Sequence, residues 1–453
     1  MHSRKSLYAL LTAGLLVVAV LTFFPYTLTL AGRAGRTVVD KVRERIDGSA
    51  PPPVAADVRP AVPPPPQFDA ANWYGSRGDE PERHGVLVQT FDGRQVFAAH
   101  NADTTFNPAS LVKLATTLVA LRRLGPEHRF VTRVYADGNV DAKSRRLDGS
   151  LYLAGDDPTF GDYGAHLVAR ELKARGIEHV SDKVLAAPGY SFNFHEKSED
   201  SAKHTADVMK LGQKETGAAA GPSGRELFVI HSNPLREVLL YMNAHSVNFV
   251  ADRVGAMVGG PAEVARFLVG ELKLPAEQVY LETCSGLHTN RMTPRGLTAV
   301  IRALADEANR LGLKLEDLMP VASCDWGTLR RRFEGTPYEC AAVGKTGTLT
   351  DTDGGMSNLA GVAFTQDLGP VLFVVVTQGR RIWEQKQTTD ELLAELLAHH
   401  PPAPLMGPRP ESRRRLLPST NLRVEPQMYS GAVEEEVEEK VAKSRETEGE
   451  RIE

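Results

Sequence analysis

The sequence predicts an α+β fold: one antiparallel sheet built from segments near both ends of the chain, with helices packed on it. Three observations carry that expectation. Residues 85–101, "GVLVQTFDGRQVFAAHN", read as two strands joined at Asp92-Gly93, a strong hairpin signal. "LAGVAFT" and "PVLFVVVTQG", residues 359–365 and 370–379, read as two more apolar strands with a short loop between them. Between these pairs, apolar residues recur mostly at helical spacing.

The 453 residues give room for two or three domains, and 42% apolar with 24% charged residues is ordinary for a globular protein. The net charge of −4 is concentrated at one end. Residues 434–453 hold nine Glu against Lys440, Lys443, Arg445 and Arg451 and read as a solvated, disordered acidic tail. The remainder is close to neutral and gives no nucleic-acid footprint.

At the other end, a basic start (residues 1–6, with Arg4 and Lys5) precedes an uncharged, Leu- and Val-rich stretch at residues 7–32. Its length suits a membrane-spanning signal anchor, with a cleaved signal peptide as the alternative. Either reading puts the chain in the cell envelope or periplasm, although Arg33, Arg36, Lys41, Arg43 and Arg45 after the segment do not fix its orientation. Residues 33–69 read as a linker. Within it, residues 51–66 hold eight prolines, an extended spacer of roughly 50 Å.

The elements between the terminal strands follow in order. A helix begins near Pro108, with Leu111, Leu114, Ala115, Leu118 and Val119 at helical spacing and a stop at Gly125-Pro126. "GSLYLAGDD" reads as a strand and turn, residues 165–175 as a helix, "HVSDKVLAA" as strand-like, and the polar stretch 196–224 as a mobile loop. Residues 234–243 and 248–257 read as two helices with a break between them, and Thr293-Pro294 opens a long capped helix. Residues 389–399 form a last helix with Leu392, Leu393, Leu396 and Leu397 inward. A Pro-rich, basic stretch from residue 401 closes the folded part. Cys284, Cys324 and Cys340 allow at most one disulfide, and their spacing suits no metal site.

Three short patterns carry chemistry. In "NPASLVKLATT", Ser110 and Lys113 lie one helical turn apart and therefore on one face. In "NAHSVNFVAD", Ser246 and Asn248 fall at the break between two helices; Ser246 could point into a cleft or simply cap the second helix. In "VGKTGTLTD", Lys345, Thr346, Gly347 and Thr348 combine a cation, two hydroxyls and a glycine that permits close approach, which suits a carboxylate. A nucleotide P-loop fails there, because Glu339 stands where its first glycine is needed.

Each pattern alone is weak. Their order, Ser-x-x-Lys, Ser-x-Asn, Lys-Thr-Gly, resembles the active-site set of penicillin-binding proteins and serine β-lactamases. "PASLVKLATT", "LYLAGDDPT", "NRMTPRGL", "LMPVASCDWGTLRRRFEGTP", "GKTGTL" and "SNLAGVAF" narrow this. Over about residues 85–379 the chain resembles the class C low-molecular-mass penicillin-binding proteins, which are D-Ala-D-Ala carboxypeptidases and endopeptidases. The resemblance implies a β-lactamase/transpeptidase-like catalytic domain over residues 70–400, with a helical subdomain and a reduced inserted subdomain at residues 137–225. It implies peptidoglycan stem peptides and β-lactams as partners, and no metal or organic cofactor. A serine β-lactamase and a non-catalytic cell-wall-binding penicillin sensor are the alternatives. The chain departs from the family at residues 283–288, which read TCSGLH where the family tends to read DGSGLS, and at Val247, the middle residue of Ser-x-Asn.

A serine hydroxyl needs a base to become a nucleophile. A lysine with an ordinary pKa is neutral in roughly one molecule in 2,500 at pH 7, a handicap of about 4–5 kcal/mol. Burial and a neighbouring cation, here expected to be Lys345, both lower that pKa. By motif, Ser110 is the nucleophile, Lys113 its base, and Ser246 the relay to the leaving amine. Asn248 would hold the substrate amide, Lys345 and Thr346 its terminal carboxylate, and the N–H groups of Ser110 and Thr348 the oxyanion.

Overall fold

The computed structural model describes residues 68–407 and 422–425. The basic start, the uncharged stretch, the proline spacer and most of the acidic tail lie outside the described residues, and among the described residues no helix is long and apolar enough to cross a membrane.

Helix α1 (Ala70–Gly75) leads into strands β1 (His84–Thr90) and β2 (Val96–His100), the expected hairpin. A 3-10 turn (Ala109–Leu111) runs directly into helix α2 (Val112–Leu124). The chain then builds a second sheet from β3 (Val131–Asp141), β4 (Arg146–Gly155), helix α3 (Asp162–Ala174), β5 (His179–Val180), β6 (Lys183–Ala186), helix α4 (Ser198–Met209), β7 (Glu215–Ala218) and β8 (Arg225–His231). Helices α5 (Leu235–His245), α6 (Asn248–Met257), α7 (Gly260–Gly270) and α8 (Pro294–Arg310) follow. Strands β9 (Ala342–Leu349), β10 (Met356–Thr365) and β11 (Gly369–Gln378), helix α9 (Ile382–Leu396) and strand β12 (Arg423–Val424) complete the order.

The first sheet runs β2-β1-β11-β10-β9 and is antiparallel throughout, so it joins N- and C-terminal segments as expected. Side-chain alternation along β11 shows how it is covered. Leu372, Val374 and Val376 face a core shared with α2 and α8, whereas Val371, Phe373 and Val375 face α1 and α9. Helix α8 begins where the sequence places it. Thr293 accepts the Gly296 N–H at 2.9 Å, Pro294 sits in the first turn, and Leu297, Val300, Ile301 and Leu304 form the buried stripe. Among the described residues β9 ends the sheet order, and its outer edge meets only an isolated bridge from Val321 to Val343.

Helix α2 is buried at every position from Val112 to Leu121. It is the central helix of the domain, not a helix with one apolar stripe. That placement puts Lys113 inside the protein.

The second sheet is larger than the expected insertion at residues 137–225. Its strands are ordered β12-β8-β3-β4-β6-β7, with β5 beside β4, and it has its own core of Val134, Leu151, Leu153, Phe160, Tyr190 and Phe228. Two readings are corrected here. The polar stretch 196–224 is not a mobile loop: it holds α4 and β7. Ala202, Thr205, Ala206 and Met209 form the buried stripe of α4, and a stripe this short on large apolar groups escapes hydrophobic patterning. The tail beyond residue 401 is not wholly without structure either. Val424 is buried, and β12 pairs with β8 through Arg423–His231 and Val424–Ile230. Cys324 and Cys340 form the one disulfide, leaving Cys284 free and buried.

Candidate active site

Ser110 lies in the 3-10 turn and Lys113 is the second residue of α2. Lys113 Nζ is 3.0 Å from Ser110 Oγ, 2.7 Å from Asn248 Oδ1 and 2.6 Å from the Ser285 carbonyl oxygen. The lysine is 0% exposed. Burial lowers its pKa to about 7, against an opposing upward pull from the Asp252 carboxylate.

The turn that carries Ser110 is held from outside. Ala109 has φ +49°, a left-handed conformation that a residue with a Cβ adopts only under constraint. Its N–H donates to Asn107 Oδ1 at 3.0 Å. Asn107 Nδ2 in turn donates to Asp353 Oδ2 (2.7 Å) and to the His288 carbonyl (2.8 Å), and Asn358 Nδ2 donates to the Asn107 carbonyl (3.0 Å). Arg291 clamps Asp353 with two bonds of 2.9 Å. Gly286 presses on the same turn from the other side. Its φ is +85°, and a Cβ there would lie 1.9 Å from the Ala109 carbonyl oxygen.

Ser246 ends α5 with φ +56°, and α6 starts after Val247. Val247, not Ser246, is the N-cap of α6, and no side-chain hydrogen bond caps that helix. The capping reading of Ser246 therefore falls away. Its Oγ instead accepts from Lys345 Nζ at 2.8 Å. The side-chain Oδ1 of Asn248, the first residue of α6, accepts from Lys113 Nζ.

Lys345, Thr346, Gly347 and Thr348 lie on β9, the sheet's outer strand. Lys345 is 0% exposed, and its Nζ also donates to the Thr346 carbonyl at 2.7 Å. Gly347 has no room for a side chain: a Cβ would sit 2.6 Å from the Pro108 carbonyl oxygen and 3.2 Å from the Ala109 Cβ. This contact brings the backbone of β9 against the turn holding Ser110. Thr346 is nearly buried and Thr348 is exposed.

All eight residues singled out in the sequence thus meet in one place. The electrostatics differ from expectation in one respect. Lys345 is not the cation that depresses Lys113; burial does that. The Lys113 charge pushes Lys345, which burial already holds well below the ordinary lysine range.

Sequence reasoning missed Ser285 and Asp252. Ser285 contributes a backbone carbonyl, which no side-chain pattern reveals. Asp252 lies one helical turn beyond Asn248 and accepts the Ser285 N–H at 2.8 Å, so its position was available as an i,i+4 neighbour. Asn107, Asp353 and Arg291 come together only through the fold. Cys284, one of the departures from the family pattern, is kept inert: burial pushes its thiol up to about 12.

Comparison with known proteins identifies the family. The chain is 26% identical over 354 residues to a carboxypeptidase of Mycobacterium tuberculosis, covering 64% of this chain and 74% of that protein. Its fold is similar to a predatory endopeptidase of Bdellovibrio bacteriovorus (TM-score 0.61, 19% identity, 72% of this chain and 95% of that one). It is also similar to penicillin binding protein 4 of Haemophilus influenzae (TM-score 0.56, 18% identity, 69% and 96%). The D-Ala-D-Ala carboxypeptidase 3 (S13) family matches at residues 78–208 and 211–399, which is most of the chain, and the chain belongs to that family.

Proposed function

We propose that this serine D-Ala-D-Ala carboxypeptidase cleaves peptidoglycan stem peptides through an acyl-enzyme on Ser110. The observation that carries the reading is the set of three contacts at Lys113 Nζ. Two of its partners, Asn248 Oδ1 and the Ser285 carbonyl, can only accept. A neutral amine has two N–H bonds and one lone pair. Giving both N–H bonds to those oxygens leaves the lone pair for the third partner, the Ser110 hydroxyl. With a pKa of about 7, Lys113 is neutral often enough to accept that proton.

Ser110 Oγ then bonds to the penultimate D-alanine carbonyl carbon as its proton passes to Lys113. The N–H groups of Ser110 and Thr348 face the oxyanion, where one donor is worth roughly 3–4 kcal/mol. Collapse breaks the C–N bond, and the terminal D-alanine leaves with a proton relayed through Ser246. Asn248 holds the peptide through its amide N–H groups, its carbonyl oxygen being engaged with Lys113. Lys345 and Thr346 receive the terminal carboxylate. That anion favours the charged form of Lys345, and a charged Lys345 disfavours protonation of Lys113. Substrate binding therefore primes the base. Water hydrolyses the acyl-enzyme.

The same chemistry serves a cross-linked peptide, so endopeptidase activity fits the site as well, and β-lactams acylate Ser110 in the same way. A peptidoglycan substrate supports a location in the periplasm or envelope. The uncharged stretch at residues 7–32 supports attachment to the inner membrane.

The test uses a fluorescent penicillin and a D-Ala-D-Ala peptide. Wild-type protein labels and releases D-alanine; Ser110→Ala does neither, with an unchanged thermal melt. Labelling without D-alanine release by the wild type supports a penicillin sensor, and labelling of Ser110→Ala defeats the assignment.

A further inference from the structure

The segment between α8 and β9 contains a loop tied at its mouth. Cys324 and Cys340, both fully buried, join it across 16 positions. Beside them, the Ser323 hydroxyl donates to the Arg332 carbonyl at 2.6 Å and its N–H to the Leu329 carbonyl at 3.0 Å. Asp325 accepts the Val321 N–H at 2.7 Å. Ser323 and Cys340 have φ +62° and +58°, left-handed conformations that residues with a Cβ hold only under constraint. Arg332, nearly buried, pairs with Asp390 of α9 and fastens the loop to that helix.

On one side this segment runs along the outer edge of β9. The Ala322 N–H donates to the Ala342 carbonyl at 2.9 Å, the Gly344 N–H to the Pro320 carbonyl at 3.2 Å, and Val321 bridges Val343. The next residue of β9 is Lys345. On the other side the loop reaches the end of α5. The Thr328 N–H donates at 2.8 Å to the carbonyl of Ala244, one of the terminal carbonyls that a helix leaves without an internal partner. Gly327 permits the approach: its φ is +118°, and a Cβ there would lie 2.3 Å from the same carbonyl oxygen. Asn243 adds a second tie, donating to the Leu318 carbonyl at 2.9 Å. Ser246 follows Ala244 by two residues. One segment therefore grips the backbone beside both Ser246 and Lys345, whose side chains meet at 2.8 Å.

We propose that the loop closed by Cys324 and Cys340 holds Ser246 against Lys345, and that the disulfide, Gly327 and Thr328 position the proton relay to the leaving amine. Ser246 sits at a helix end and Lys345 on an outer strand, so neither element by itself fixes the distance between them. A relay needs its heavy atoms within about 2.6–3.2 Å, and a misplacement of about 1 Å costs on the order of a hundredfold in rate. Opening the disulfide frees the two ends of the loop, and the slack falls between α5 and β9. The proposal rests on the acyl-enzyme reading, which gives Ser246 its relay role.

The test is a double-mutant cycle read in D-alanine release, at a temperature where circular dichroism shows every variant folded. Cys324→Ala with Cys340→Ala, and separately Gly327→Ala, which pushes on Ala244, lower kcat roughly tenfold or more with KM changed less than about threefold. In a Ser246→Ala background the same substitutions cost less than about twofold, because the relay they position is already gone. Penicillin labelling, which needs only one turnover, reads the slow rates of that background. Equal fold-losses in both backgrounds mark a merely structural loop. That result, a loss carried by KM, or no loss at all overturns the clamp while leaving the acyl-enzyme reading intact. If the cysteine pair unfolds when replaced, the Gly327→Ala cycle decides; unfolding of both variants makes the loop a folding requirement and also overturns the proposal. A Ser246→Ala enzyme as fast as wild type removes the relay on which the clamp acts. Failure of the wild type to release D-alanine overturns both readings.

Discussion

Acylation should titrate with Lys113. At an ordinary pKa of 10.5, roughly one lysine in 3,000 is neutral at pH 7, whereas at about 7 roughly half are. Lowering the pKa from 10.5 to about 7 corresponds to roughly 5 kcal/mol in the availability of the base, or more than a thousandfold in rate. Burial supplies it, as Lys113 is 0% exposed on a helix covered on all sides. The sign is fixed by the chemistry: the reactive form is the neutral one, so the rate falls as pH drops through about 7. The assay is the second-order rate of penicillin labelling across pH. It should plateau above about pH 8 and fall about tenfold per unit below about pH 6. Lys113→Arg keeps a positive charge at every accessible pH, so labelling should drop by about three orders of magnitude or more. A rate that does not change across this range, a midpoint near 10, or an arginine variant within about tenfold of wild type would refute the reasoning.

Two further outcomes follow from the surroundings of Lys113. Asp252→Asn removes the carboxylate that raises the Lys113 pKa, while its remaining Oδ1 can still accept the Ser285 N–H; the acid limb of the labelling profile should therefore move to lower pH, and movement to higher pH would show that another group titrates. Gly286→Ala forces a side chain at φ +85° against the Ala109 carbonyl, which should cost about 3 kcal/mol or more in thermal unfolding and abolish labelling; a stable, fully reactive variant would mean that the loop does not support the Ser110 turn.

The candidate set was legible because each of its pieces is local. Ser110 and Lys113 are joined by one helical turn, Ser246 and Asn248 by a break between helices, and Lys345 to Thr348 by consecutive positions on an edge strand. The terminal hairpin and the β10–β11 pair were legible for the same reason: apolar runs bounded by turn residues. What escaped depends on distant segments meeting. The Ser285 contact uses a carbonyl that every residue has, and Asp353 lies 246 positions from Asn107 along the chain. The depression of Lys113 by burial was foreseen, but the expected help from Lys345 is not found, because burial holds that lysine itself well below the ordinary range. Helix α4 was missed because alanines and threonine, not leucines, face its core.

The most direct test of the central claim observes the lysine itself. NMR of isotope-labelled lysine side chains, with Lys113→Met to assign the signal, follows its ionisation in the resting enzyme. The account predicts a single titration near the value of about 7 that burial imposes. A Lys113 amine that remains protonated up to an ordinary lysine value would contradict it.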